Sequence, residues 1–276
     1  MSQKTFELSG AINLDVRVGY GSVTVHAEEG ASRAEVTLAA KTADSDVVER
    51  TVVEMRGPTL AVIGPRPRGG RFDVALFARR FRDHDRMDVD VVVPAGTAMK
   101  ISTFGADLTI TGRTGGADLA SGSATLNIDE IDGDLRLRYG SGPTNVRRIT
   151  GAAEVKYGSG KLSLQEVGGD LDVACGSGSL QVGVAHGTVR LRTGSGGATI
   201  GVAESDVELT SGSGDLSIGL RAGHSARLDV VTGSGRLDSE LNVEDAPPPG
   251  RRATTIRART GSGDVHLRRA APAMPA

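Results

Sequence analysis

The sequence predicts an all-β protein, a parallel β-solenoid (β-helix) with about 18 residues per coil and a β-rich N-terminal cap. Three observations predict it. A Gly-Ser-Gly triplet recurs at one constant spacing, with starts at Gly140, Gly158, Gly176 and Gly194. The short segments between triplets alternate apolar and polar residues, as strands with one buried face do. The 276 residues include 39 glycines and only 3% aromatic residues, which fits a thin aliphatic core.

The first hundred residues have strand character without the strict interval. The stretch "FELSGAINLDVRV" alternates, "YGSVTV" resembles a coil corner, and "AEVTLAA" and "MDVDVVVPAGTAMKI" read as further strands. The stretch "DSDVVERTVVEM" is compatible with a helical turn or with a strand. An open solenoid end exposes unpaired backbone groups and invites association. We therefore interpret residues 1–98 as a β-rich N-terminal cap that leads into the coils.

An Arg- and Phe-rich insertion at residues 66–86 interrupts this cap. Its sequence, "RPRGGRFDVALFARRFRDHDR", interleaves phenylalanines with arginines, which suits a protein partner or single-stranded nucleic acid. The formal net charge of −2 disfavours nucleic acid. The alternative is a surface loop whose phenylalanines pack on the cap. The residues predicted as possible partner contacts are Arg71, Phe77, Arg79, Arg80, Phe81 and Arg82.

Residues 99–268 are predicted to form the solenoid repeats, and residues 269–276 a disordered tail. The strict interval favours coils that stack in parallel, with each residue above its equivalent in the next repeat, over a meander of antiparallel hairpins. Leu164 and Val182 then become neighbours in one inward column. Another inward column is expected to follow the chain from Leu209 to Val230 and then to Ala258.

The corners between strands explain the repeated triplet. Glycine supplies backbone conformations with positive φ, where a side chain would clash. The residue before each triplet is then the last inward position before a corner, and Tyr139 and Tyr157 occupy it in two coils. Both tyrosines are therefore predicted to be packing residues.

Residues with recognisable chemistry are sparse, and we predict no catalytic, cofactor-binding or metal-binding residue. Calcium-binding β-rolls also build coils of this length, but they need an acidic residue in each glycine turn. After the seven triplets here, only Asp215 and Asp264 are acidic. The single cysteine, Cys175, excludes an internal disulfide framework. The glycine strings do not match a phosphate-binding motif that opens a helix. The sequence therefore predicts a protein that is not an enzyme, with no readable cofactor or small-molecule ligand.

Three kinds of stretch carry a family resemblance: "FELSGAINLDVRVGYGSVTV", "VDVVVPAGTAMKI" and the serial "GSG…GDL" coils. They resemble a bacterial "putative adhesin" family of β-strand repeat proteins, a domain of unknown function. The resemblance spans nearly the whole chain. It implies a β-solenoid without established enzymatic activity, and it supplies no functional residue.

Together these features predict a non-enzymatic β-solenoid scaffold or protein-interaction module that binds a protein partner or itself, with no nucleic acid. No apolar stretch approaches the roughly 20 residues that span a bilayer. The sequence begins without a basic segment followed by an apolar run, so we expect a cytoplasmic location. Two alternatives remain open: a carbohydrate-active enzyme on a solenoid face, and an extracellular adhesin.

Overall fold

The computed structural model describes residues 1–65, 85–221, 226–240 and 254–270. The protein is all-β, as predicted, and its described residues contain one short helix. Contacts between residues divide the chain into two compact units, Met1–Gly142 and Pro143–Ala276. The finer division of the sequence into cap, repeats and tail stays a prediction.

The first unit contains the helix and ten strands among its described residues. The ambiguous stretch after residue 44 forms the helix, α1 (Val47–Arg50), followed directly by a strand. The strands are β1 (Ser2–Glu7), β2 (Asn13–Glu28), β3 (Arg33–Ala40), β4 (Val52–Arg56), β5 (Thr59–Ile63), β6 (Arg86–Pro94), β7 (Ala98–Thr114), β8 (Ala117–Ser123), β9 (Leu126–Ile131) and β10 (Leu135–Ser141).

The long strand β2 lies in the sheet between strands that follow it in the chain, β5 and β6 on one side and β7 on the other. Its two halves pair in parallel with β5 and β6 on one side, and both halves pair in parallel with β7 on the other. Ser22 of β2 is thereby placed between Asp88 of β6 and Asp107 of β7. If β6 paired directly with β7 in the same frame, these two aspartates would face each other. Like charges directly opposite destabilise a sheet, which favours the inserted position of β2.

Antiparallel strands cover the outer side of this arrangement. Strand β3 pairs antiparallel with both β6 and β1, and β4 pairs antiparallel with β5. On the other side of β2 the pairing is parallel, from β7 to β8 and β9 and from β8 to β10. Leu119 of β8, fully buried, pairs with Ile101 and with Leu137, its equivalents one repeat before and one repeat after.

The second unit contains eleven strands among its described residues. They are β11 (Thr144–Ile149), β12 (Ala153–Val167), β13 (Leu171–Ala185), β14 (Val189–Ser195), β15 (Ala198–Ala203), β16 (Val207–Ser213), β17 (Leu216–Leu220), β18 (Ala226–Thr232), β19 (Leu237–Ser239), β20 (Thr254–Ser262) and β21 (Val265–Arg269).

Parallel pairing at the predicted interval runs through most of the second unit. Leu164 of β12 pairs with Val182 of β13, which pairs with Ile200 of β15. All three side chains are at most 1% exposed. The predicted stacking of equivalent residues, and the predicted inward face, are therefore confirmed for these positions.

The order of the last coils differs from the sequence prediction. The strands β20 and β21 pair with β16 and β17 on one side and with β18 and β19 on the other. The inward column therefore runs from Leu209 to Ala258 and then to Val230, and the expected order along the chain was wrong. The outward charges explain the insertion, because Arg257 now separates Glu208 from Asp229. Chain order would have placed those two carboxylates opposite each other.

The two glycines of a triplet serve different purposes at the corner. Gly196 has a φ of +143°, a conformation that side chains disfavour, and a Cβ there would lie 1.9 Å from the carbonyl oxygen of Gly178. Gly194 lacks a positive φ, but a Cβ would lie 2.8 Å from the carbonyl oxygen of Gly176. The prediction of positive φ thus holds for the second glycine of this triplet, and close coil stacking explains the first.

The tyrosines before the triplets face inward, as predicted. Tyr139 and Tyr157 are each 5% exposed. The hydroxyl of Tyr157 donates a hydrogen bond to the carbonyl oxygen of Ser179, at 3.2 Å. Their burial supports the interpretation of both residues as packing elements.

Candidate partner-binding cleft

The predicted contact residues of the insertion, Arg71, Phe77, Arg79, Arg80, Phe81 and Arg82, lie outside the described residues. The residues that flank this part of the chain are described. Pro65 and Asp85 line the same small surface cleft in the first unit. The two sides of the insertion therefore meet at one place, which we call the insertion cleft; its lining residues are Val18, Gly19, Tyr20, Val47, Gly64, Pro65, Asp85 and Met87.

The floor of the insertion cleft is apolar and fixed by the sheet. Met87 of β6 and Val47 of α1 are each 1% exposed, and Val18 of β2 is 5% exposed. The corner of β2 can approach β6 because Gly21 has a φ of +119°, and a Cβ there would lie 2.0 Å from the carbonyl oxygen of Met87. Buried side chains on paired strands give this floor a fixed shape.

An aromatic pair of half-buried Tyr20 and exposed Phe104 adjoins the cleft through Tyr20. The rings of Tyr20 and Phe104 meet edge to face, with centroids 5.5 Å apart and planes at 74°. Gly105 provides room for the tyrosine, since a Cβ at Gly105 would lie 3.0 Å from the Tyr20 ring. Phe104 remains 58% exposed. Aromatic side chains are enriched at protein–protein interfaces, where their burial contributes much of the binding free energy.

An ion-pair cluster adjoins the rim of the cleft at Asp85. The guanidinium of Arg50 donates a hydrogen bond to Asp85 and also lies 2.8 Å from a carboxylate oxygen of Asp46. The hydrogen bond to Asp85, with a further contribution from Asp46, raises the pKa of Arg50 above its ordinary value. The cluster therefore carries a permanent positive charge between two carboxylates. This cluster also ties α1 to the chain just after the insertion.

A second polar cluster lies in the other unit, around His186. Its Nδ1 is 2.7 Å from Oε2 of Glu204, and its Nε2 is 3.3 Å from Oε1 of Glu166. Arg221 donates a hydrogen bond to the same Glu204. The hydrogen bond with Glu204 raises the pKa of His186, and the same bond lowers the pKa of Glu204. The cluster joins successive coils electrostatically, and His186 is 38% exposed at its side chain.

Within the described residues, no group of three or more His, Cys, Asp or Glu side chains is arranged to hold a metal ion. Cys175, at the corner position between Tyr157 and Thr193, is half-buried. In the part of the chain that the structure describes, no helix is long and apolar enough to cross a membrane.

Sequence reasoning missed both polar and aromatic clusters, though with different signals available. His186 and Glu204 are separated by one repeat interval, so the coil repeat itself could have placed them together. Tyr20 and Phe104 are brought together by the pairing of Tyr20 with Gly105 across β2 and β7. The repeat interval does not predict that pairing, because β2 is inserted out of sequence order.

A family model named Toastrack DUF4097 matches residues 11–272. The chain belongs to the Toastrack family. This assignment confirms the resemblance to a bacterial domain of unknown function with β-strand repeats. No functionally curated protein is significantly similar to this Toastrack chain.

Several crystal structures of bacterial proteins resemble the Toastrack chain weakly. A "putative adhesin" from Bacteroides fragilis is 9% identical, with a TM-score of 0.41 and coverage of 97% of this chain and 96% of that chain. A "putative adhesin" from Parabacteroides merdae is 11% identical, with a TM-score of 0.42 and coverage of 96% and 95%. A "putative lipid binding protein" from Parabacteroides distasonis is 12% identical, with a TM-score of 0.45 and coverage of 96% of both chains. At scores below 0.5, these likenesses establish nothing about this chain's function.

Proposed function

We propose that this Toastrack protein is a non-enzymatic interaction module that binds a protein partner at the insertion cleft. The observation that carries the proposal is the aromatic pair beside the cleft. Phe104 is 58% exposed although it contacts Tyr20, and Tyr20 itself lines the cleft. Aromatic side chains are enriched among the residues that dominate the binding free energy of protein interfaces, which supports this proposal.

The cleft combines the features that favour protein recognition over small-molecule chemistry. Its floor is apolar at Val47 and Met87, and the charged cluster of Arg50 and Asp85 adjoins its rim. An apolar centre with a polar rim is the usual anatomy of a protein interface. Pro65 and Asp85, the described residues on either side of residues 66–84, both line this cleft.

The scaffold part of the proposal rests on the coil stacking. From β11 to β17, strands one repeat apart pair in parallel, as at Leu164 and Val182. We infer a β-solenoid from this pairing. A stacked, hydrogen-bonded framework presents attached loops from a rigid base, and repeat proteins commonly bind through such surfaces.

A carbohydrate-active enzyme is the alternative class, and the cleft gives it little support. Glycoside hydrolysis generally needs two carboxyl groups that flank the scissile bond. Among the residues lining the cleft, Asp85 supplies the carboxyl group, and it accepts a hydrogen bond from Arg50. We therefore propose a protein that is not an enzyme, and incubation with a polysaccharide panel checks this by the appearance of reducing ends.

The binding proposal is tested by affinity capture with quantitative mass spectrometry. Phe104→Ala and a deletion of residues 66–84 are compared with the wild type and with Leu237→Ala, whose side chain is similarly exposed in the other unit. An anchoring aromatic contributes about 2 kcal/mol or more, so a partner should lose about thirtyfold in affinity with Phe104→Ala. Leu237→Ala should retain that partner.

An unchanged set of captured proteins with both cleft variants would rule out the insertion cleft as the binding site. Circular dichroism confirms that each variant is folded before capture. Cell fractionation of the producing bacterium addresses location separately. Recovery in the soluble cytoplasmic fraction is expected, and recovery at the cell surface would favour the adhesin alternative.

A further inference from the structure

The coil formed by β18 and β19 ends the parallel stack of the second unit. Among the described strands, β18 pairs with β20 and β19 pairs with β21, each along one edge. The inward residues Leu228 and Val230 are half-buried, whereas Ile256 and Ala258 in the next coil are fully buried. Leu237 is 50% exposed. Among the described residues, the outer edge of this coil is therefore partly apolar and has no strand paired to its backbone.

In the first unit, the coil formed by β5 and β6 is covered by other strands of the same chain. Its inward residues Leu60, Val62 and Val91 are 0% exposed. Strands β4 and β3 pair antiparallel with this coil on its outer side. The side chain of Lys4 adds a further cover by donating a hydrogen bond to the carbonyl oxygen of Val53. The described residues of the second unit provide no comparable antiparallel strand over β18.

The charges on β18 indicate which occupant fits its open edge. Arg227 and Asp229 occupy alternate positions of the strand and are both exposed, so they project from the same outward face. Suppose that a second β18 pairs antiparallel, with Leu228 opposite Leu228 on a two-fold axis. Arg227 of each copy then lies opposite Asp229 of the other. Each strand therefore contributes one arginine and one aspartate, and the dimer contains two equivalent ion pairs.

The same charges reject the neighbouring registers. If the two-fold axis were centred on Asp229, the two Asp229 side chains would lie opposite each other. If it were centred on Arg227, the two Arg227 side chains would lie opposite each other. Shifts by a single position would put inward side chains opposite outward ones. Like charges directly opposite are destabilising, and opposite charges there are favourable. Only the register centred on Leu228 therefore satisfies both the apolar and the charged positions.

We propose that the edge of β18 binds a second copy of this chain, in an antiparallel, two-fold symmetric dimer. Each copy contributes the same strand, as a closed two-fold interface requires. Pairing supplies backbone hydrogen bonds across the open edge and covers Leu228 and Val230 on both copies. A single short strand gives an interface below the usual size, so the dimer is expected to be weak and concentration-dependent.

Asp229 remains available for this pairing although it already contacts two arginines. Its carboxylate lies 3.5 Å from Arg259 and 4.0 Å from Arg257, and its side chain is 48% exposed. A carboxylate has two oxygens that each accept more than one hydrogen bond. The interface proposed for β18 lies in the second unit and is independent of the insertion cleft.

Sedimentation velocity over a concentration series tests the dimer with the full chain. The wild type should move from 28.4 kDa towards twice that mass as its concentration rises. Arg227→Asp alone and Asp229→Arg alone should each remain monomeric, because each variant opposes like charges. An equimolar mixture of the two variants should associate again, because the paired aspartates of one variant then face the paired arginines of the other. The doubly exchanged variant, Arg227→Asp with Asp229→Arg, should also dimerise.

The mixture also serves as the control for folding. Asp229→Arg brings a third cation near Arg257 and Arg259, and it can lower the melting temperature without bearing on the dimer. Variants that are monomeric alone but associate when mixed must be folded. The doubly exchanged variant tests the register, because its charges match when the axis lies on Leu228 and oppose like charges when it lies on residue 227 or 229. A wild type that stays monomeric throughout the series overturns the proposal. So does a single variant that dimerises like the wild type, or a mixture of monomeric variants that fails to associate.

Discussion

Replacing Val173 with aspartate tests the assignment of inward and outward faces. Val173 is 0% exposed and lies between Val155 and Leu191 in the register. Burying a valine side chain stabilises a protein by about 1.5–3 kcal/mol, which the substitution forfeits. Burying a polar group without a partner costs about 2–7 kcal/mol more. Taking the lower bound of each contribution, we expect Val173→Asp to lower the free energy of unfolding by about 3.5 kcal/mol or more.

The assay is thermal unfolding followed by far-UV circular dichroism. At roughly 2–4 °C per kcal/mol, the melting temperature should fall by about 7 °C or more. Val52→Asp makes the same change at a side chain that is 45% exposed, and it should change stability by no more than about 0.5 kcal/mol. The deficit of Val173→Asp should grow as the pH rises from about 4, because burial raises the pKa of the new carboxyl above its unfolded value of about 3.9. An unchanged melting temperature would refute the assigned faces.

Three further predictions address the corner, the histidine cluster and the coil order. Gly196→Ala should lower the free energy of unfolding in urea by at least about 2 kcal/mol, because of the positive φ and the clash with the Gly178 carbonyl. A Cβ at Gly10 would meet no atom within 4 Å, so the control Gly10→Ala should be nearly neutral. Relative to His186→Gln, His186 should add stability that is fully present below pH 6.5 and is lost as the pH rises through its raised folded pKa. Solvent exposure limits this added stability to about 1 kcal/mol, and urea unfolding midpoints across a pH series measure it. In hydrogen exchange, amides of β20 should exchange at least about tenfold more slowly than those of β18, and the reverse order would contradict the inserted last coil.

Much of the fold could be predicted from the sequence because its repeat is nearly exact. The spacing of the triplets indicated that Leu164 and Val182 pair, and alternation indicated which side chains face inward. The inserted coils could not be predicted from the interval, since a repeat gives the phase of each coil but not its order in the stack. The charges of Glu208, Arg257 and Asp229 contain that information, once the alternative orders are compared.

The candidate site was less predictable than the fold. The sequence indicated the insertion as a contact region, but its predicted residues lie outside the described part of the chain. The pair of Tyr20 and Phe104 depends on a contact between distant parts of the chain, which the pairing of β2 with β7 creates. His186 and Glu204 followed the repeat interval, yet a histidine and a glutamate in separate turns give no local signal.

Strands β2, β20 and β21 lie in the sheet out of sequence order, and this order determines how the protein would respond to mechanical load. A coil at the end of a stack can be peeled away by breaking one ladder of hydrogen bonds at a time. Strand β2 is instead held along both edges by β6 and β7, and β20 is held along both edges by β16 and β18. A pull from the C-terminal side must therefore shear two ladders together. A pull on the N-terminus first detaches β1, which among the described strands pairs with β3 alone, and meets two ladders only at β2.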